Sequence, residues 1–235
     1  MDSGRVIGVF RYSAAAALCV GFAAAASMAR AQDNALGAAI AAKGTSAGAA
    51  ACASCHGAKG EGNGAAGFPR LAGLSAPYIE TQLASFAGGQ RQNPIMQPIA
   101  KALTKPESAA VALYFSKLPA AANAGSADAA AAPAQTGAWL ATRGRWNDGL
   151  PACAQCHGPG GAGVGTVFPP LHGQSALYIA NQLHAFKNKA RPGGPMNLMS
   201  VVASKLSDAD MTAVADYYGG QPASAAATGS QGGKK

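Results

Sequence analysis

The sequence reads "CASCHGAKGEGNG" over residues 52–64 and "CAQCHGPGGAGVG" over residues 153–165. Each stretch holds two cysteines three positions apart, a histidine directly after the second, and then a glycine-rich run. The similarity does not stop there. With the chain shifted by 100 residues, Phe68-Pro69 falls on Phe168-Pro169, Leu71 on Leu171, "YIETQLASF" from Tyr78 on "YIANQLHAF" from Tyr178, and Arg91 on Arg191. The shift then grows to 103, placing Met96, Ile99, Ala100 and Leu103 on Met199, Val202, Ala203 and Leu206. The chain is one unit used twice, so any element read in one half is expected in the other.

The periodicity in both halves is helical. Ile79, Leu83 and Phe86, like Ile179, Leu183 and Phe186, recur at helix spacing, with Ser75 and Ser175 placed as N-caps. Thr104 with Glu107, and Ser207 with Asp210, have capping-box spacing; after them Val111, Tyr114, Phe115 and Leu118, and Val214, Tyr217 and Tyr218, form apolar faces. No alternating strand pattern competes, and the expected fold class is all-α, in two tandem domains over 32–118 and 138–222. Between them, 119–137 is rich in Ala and Pro and reads as a linker, and 223–235 as a disordered low-complexity tail. Each half has few large aliphatics for its length, so its core needs a supplement.

The repeated motif supplies one. Cys-x-x-Cys-His is the attachment signature of c-type haem: one helical turn sets Cys52 and Cys55, or Cys153 and Cys156, on one side to bond the two vinyl groups, and brings His56 or His157 under the iron. A zinc site shared by all four cysteines would have to bridge the two halves, and neither zinc nor a redox disulfide requires the histidine. The expected cofactors are therefore two covalently bound haem c groups. Met96 and Met199, at corresponding positions, are the candidate sixth iron ligands; Met196 is the rival in the second half and reads as structural. His172 and His184 fall on Ala72 and Ala84 and read as packing or surface residues. An axial histidine needs an acceptor for its other ring N–H, and the carbonyls of Pro69 and Pro169 are candidates, a plain turn being the alternative. Arg91 and Arg191 either pair with haem propionates or lie at the surface. The glycine-rich runs let the backbone pass close to the haem.

A basic stretch with Arg5 and Arg11, an apolar run from Ala14 to Ala26 and small residues before Gln32 read as an export signal over 1–31, an uncleaved anchor being the alternative. Periplasmic localisation follows. The net charge of the chain is +8, and its basic residues are scattered with no nucleic-acid motif, which argues for a solvated surface and no nucleic-acid partner. Lys187, Lys189 and Arg191 lie close together in sequence and read as a patch that steers an acidic partner.

With CASCH and CAQCH, the Phe-Pro-x-Leu stretches, the Tyr-Ile-x-x-Gln-Leu segments and the two methionines, the chain resembles class I c-type cytochromes, and among them the dihaem cytochrome c4 type. That resemblance implies His/Met iron in each domain and a soluble or loosely membrane-associated electron carrier, passing electrons between respiratory complexes toward a membrane oxidase. The alternatives are a dihaem enzyme, either a peroxidase or an oxidase of sulfur compounds, and a cytochrome subunit that accepts electrons from a dehydrogenase. The intact mass of the exported protein should equal the chain from Gln32 plus two haems; a mass with one haem or none would refute the motif reading.

Overall fold

The computed structural model describes residues 31–120 and 136–220. The export segment read at 1–31, apart from its last residue, most of the linker and the tail read at 223–235 lie outside the described residues. Helix α1 spans 31–43; α2 is Ala53–His56, α3 Ala76–Ala87, α4 Met96–Lys101 and α5 Lys105–Lys117. The second half repeats the order with α6 Gly137–Thr142, α7 Cys153–His157, α8 Ala176–Lys187, α9 Leu198–Ser204 and α10 Asp208–Gly219. Among the described residues the only extended pairing is three isolated bridges, and the fold is all-helical.

The apolar periodicity places the core. Ile79, Leu83 and Phe86 of α3 pack with Ile40, Val111 and Phe115; Ile179, Leu183 and Phe186 of α8 pack with Leu140, Met211, Val214 and Tyr218. Both capping boxes are formed: Thr104 Oγ1 accepts from Glu107 N and Ser207 Oγ from Asp210 N, while each acid reaches back to the cap N–H. Ser175 caps α8 through Tyr178 N at 3.2 Å. Ser75 differs: its hydroxyl makes no cap bond and instead donates to the Thr166 carbonyl of the other half at 3.2 Å. Ser75 still holds the N-cap position in extended backbone, but its hydroxyl gives its proton across the interface and accepts no first-turn N–H.

Two helices escape the periodicity argument. In α1 the buried residues are Gly37, Ile40 and Ala41, and in α6 they are Gly137, Leu140 and Ala141, too small a set to mark a face. Their glycines explain how they pack. A Cβ on Gly37 would collide with the carbonyl of Ala110 in α5, and one on Gly137 with the carbonyl of Ala213 in α10. In each half the first helix thus crosses the last with the backbones almost touching. Because α6 begins at Gly137 with Thr136 as its cap, the last two residues of the span read as linker belong to the second half.

Gly37→Val and Gly137→Val should each destabilise the holoprotein by about 1–3 kcal/mol or more, the cost of overpacking a tight contact. The measure is the urea midpoint of the half concerned, and an unchanged midpoint would mean that the helices do not cross there.

Candidate functional site

Each motif folds into one short helix that delivers its histidine to the interior. His56 N donates to Cys52 O at 2.9 Å, closing the turn between the first cysteine and the histidine. Directly after it Gly57 takes φ +82°, and Gly158 after His157 takes φ +77°, a conformation that frees the chain to leave the helix sharply. The two imidazoles are each only 6% exposed. His56 Nδ1 lies 2.9 Å from the carbonyl of Pro69, and His157 Nδ1 lies 2.8 Å from that of Pro169. A carbonyl only accepts, so Nδ1 carries the proton and Nε2 keeps a free lone pair. Burial lowers the pKa of both rings below the ordinary histidine range, with the proline carbonyls opposing it, and so favours the neutral form a metal requires. Phe68 and Phe168 stand edge-on to the rings, at centroid distances of 6.1 and 6.0 Å.

The glycine-rich loops answer to the protein's own packing, not to haem alone. A Cβ on Gly60 would press on the Phe115 ring and one on Gly161 on the Tyr218 ring; Gly62 lies against Pro69 and Arg70, and Gly163 against Pro170. These contacts draw the proline segments over the motifs. Leu71 N and Leu171 N hold them there through the carbonyls of Gly60 and Gly161, at 2.8 and 2.9 Å.

Met96 opens α4 and Met199 is the second residue of α9; both are partly buried against the cores of their halves. Met196 is 85% exposed, in a turn where its φ is +50°. The four motif cysteines, Cys52, Cys55, Cys153 and Cys156, form no disulfide, and among the described residues no three His, Cys, Asp or Glu side chains converge as a metal site, which argues against a redox disulfide and against zinc. In each half the donor set is two thiols, an imidazole with Nε2 free and a thioether.

The arginines lie where the halves meet. Arg91 and Arg191 are each 7% exposed, so the surface alternative does not hold. Arg91 donates through Nη1 to Gln82 Oε1 (2.8 Å) and through Nη2 to Tyr178 Oη (3.0 Å) and Gln182 Oε1 (2.6 Å). Arg191 mirrors it, reaching Gln182 Oε1 (2.9 Å), Tyr78 Oη (2.7 Å) and Gln82 Oε1 (3.0 Å). Each guanidinium also lies over the phenylalanine of its own half, Phe86 at 4.3 Å and Phe186 at 4.5 Å. Although burial works against ionisation, the two guanidiniums hold the Tyr178 hydroxyl below the ordinary tyrosine range. Among the described residues no carboxylate pairs with either arginine. Two buried cations without an anion are costly, and a cofactor carrying its own carboxylates fits that deficit.

Arg70, 2% exposed, is a further interface residue that the sequence reading did not single out. Its Nη2 donates to His172 O at 3.0 Å and its Nε to Gly173 O at 3.3 Å, while Nη1 holds the carbonyl of Ala72. The signal for it was a break in the repeat, since Arg70 falls on Pro170 and Gln174 on Leu74. His172 is buried beside Arg70 and His184 is half-buried in α8. The steering patch is corrected: Arg191 is internal, and Lys187 Nζ is bonded to Leu206 O at 2.8 Å and lies 3.7 Å from Asp208. That leaves Lys189 alone of the three to face solvent without such a tether.

The cytochrome c family profile matches residues 41–119 and again 134–218. A thiosulfate dehydrogenase electron acceptor from Thiomonas intermedia is 48% identical over 176 residues, 75% of this chain and 81% of that protein. Among solved structures, a thiosulfate dehydrogenase from Marichromatium purpuratum aligns with TM-score 0.71 and 44% identity, over 82% of this chain and 41% of that one. Reduced cytochrome c4 from Pseudomonas stutzeri aligns with TM-score 0.63 and 35% identity, over 72% of this chain and 93% of that one.

Met199→Ala should abolish the sulfur-to-iron charge-transfer band of one haem and lower that haem's potential, whereas Met196→Ala should change neither. The reverse pattern in the oxidised absorption spectrum would transfer the ligand role to Met196.

Proposed function

Because the chain belongs to the cytochrome c family, in its dihaem, cytochrome c4-like form, we propose that this electron-transfer protein accepts electrons from a thiosulfate-oxidising dehydrogenase in the periplasm and passes them toward a membrane oxidase. The observation that carries the reading is the similarity to thiosulfate dehydrogenase electron acceptors across both halves of the chain. Among the described residues no helix is long and apolar enough to cross a membrane.

The chain carries two c-type haems. When bound, each supplies an iron that gains and loses one electron without bond chemistry, at a potential that methionine ligation raises. The protein's part is to hold and orient. Cys52 and Cys55, and Cys153 and Cys156, anchor the groups covalently. His56 and His157 present Nε2 to the metal while the Pro69 and Pro169 carbonyls fix each ring's rotation. Met96 and Met199, partly buried against the core of each half, would supply the thioether ligands. Arg91 and Arg191, buried and paired with no carboxylate among the described residues, would offset the charge of haem propionates reaching the meeting of the halves.

Stopped-flow mixing of the oxidised holoprotein with a thiosulfate dehydrogenase and thiosulfate should reduce both haems, and omission of either component should prevent it. If the dehydrogenase and thiosulfate leave the haems oxidised while a small one-electron reductant reduces them, this donor is wrong and the carrier reading stands.

A further inference from the structure

The peptide group between Pro69 and Arg70 makes a hydrogen bond at each end. Its carbonyl accepts from His56 Nδ1 at 2.9 Å, and its N–H, on Arg70, donates to Gln174 Oε1 of the other half at 3.0 Å. Gln174 Nε2 in turn donates to Arg70 O at 2.8 Å. The side-chain amide therefore pairs with the backbone of Arg70 on both sides and can stand only one way round. Gln174 and Arg70 are both buried. The second half cannot make the same arrangement. There the carbonyl that accepts from His157 belongs to the Pro169-Pro170 bond, which has no N–H, and Leu74 stands where Gln174 would be. The two histidine-to-carbonyl distances are nearly equal, so the halves differ in the acceptor and not in its position.

We infer that Gln174 is a positioning residue of the second half that tunes the axial histidine of the first, through the Pro69-Arg70 peptide group. The inference rests on the reading of His56 as an iron ligand. A peptide whose N–H is bonded has a more negative carbonyl oxygen, because hydrogen bonds in a chain polarise one another by about 10–30% each. The Pro69 carbonyl then draws harder on the His56 Nδ1 proton, the ring becomes a stronger electron donor, and ferric iron is favoured. The two sites thus differ through one backbone proton that only the first half possesses, and its bond to Gln174 exists only while the halves are docked.

The test uses the full holoprotein with nitrogen-labelled histidine. Gln174→Met keeps the side-chain volume and removes the acceptor. It should shift the reduction equilibrium of the first haem toward ferrous by about twofold, or about 18 mV at 59 mV per tenfold for a one-electron couple, and leave the second haem in place. In the ferrous protein it should move the His56 Nδ1–H resonance toward a weaker hydrogen bond and leave that of His157 unmoved. Gln174→Glu, which keeps an acceptor, should return the His56 signal. Arg70→Met removes the guanidinium but keeps the backbone N–H, and should also preserve it. Unchanged His56 signals in Gln174→Met, equal shifts at both histidines, or a shift in Arg70→Met as large as in Gln174→Met would each overturn the relay. A wild-type spectrum without an iron-bound His56 would overturn the ligand reading as well, and is distinguished by appearing before any substitution.

Discussion

The hydrogen bond from each histidine's Nδ1 to a proline carbonyl constrains the rest of each half. A buried imidazole with that nitrogen unsatisfied would cost free energy and rotate freely, so the proline segment has to lie over the motif. For it to lie there, the loop between them must be tight, and Gly62 and Gly163 supply the room against Arg70 and Pro170. The same loop must pass beneath the last helix, which is why Gly60 meets Phe115 and Gly161 meets Tyr218. Motif, loop, proline segment and final helix form one closed chain of contacts around the imidazole.

The outer side of that proline segment faces the other half. Arg70, one residue beyond the acceptor carbonyl, carries its guanidinium across to the 172–173 backbone, so the ligand's support and the interdomain contact share a stretch of chain. Beside it Arg91 and Arg191 put two like charges in one buried contact. Neutral acceptors and aromatic faces soften the repulsion but do not cancel a net charge of two. Without an anion the halves would be pushed apart by an interaction that low dielectric magnifies. If haem propionates supply that anion, as proposed above, docking of the halves and loading of both sites support one another.

Much of this was legible in the residues. The paired motifs, the 100-residue repeat, the Ile79, Leu83 and Phe86 stripe and the two capping boxes each rest on local spacing, and local spacing is what a sequence records directly. Helices α1 and α6 were not legible because they bury small residues, where contact comes from the absence of side chain at Gly37 and Gly137. Ser75 does hold the N-cap position, but the bond its hydroxyl makes is to the Thr166 carbonyl about 90 residues away, which no local spacing records. Arg91 and Arg191 were singled out by the repeat, but only folding shows that they point at each other's half. Arg70 and Gln174 could have been found by asking where the repeat fails, not where it holds.

The exchange at the interface is two-fold: what Arg91 does to Tyr178 and Gln182, Arg191 does to Tyr78 and Gln82. Such a surface is self-complementary, the geometry of an assembly of identical copies. In a true homodimer every substitution lands on both sides of the axis at once, and a pair of unlike residues facing each other is unreachable without a second copy of each. A tandem chain has no such restriction. Arg70 bonds to a loop that carries Gln174, while the corresponding positions of the repeat hold Pro170 and Leu74, a difference that a tandem chain can carry within one polypeptide. It lets two centres built to one plan drift apart in character while the contact that joins them keeps its symmetry.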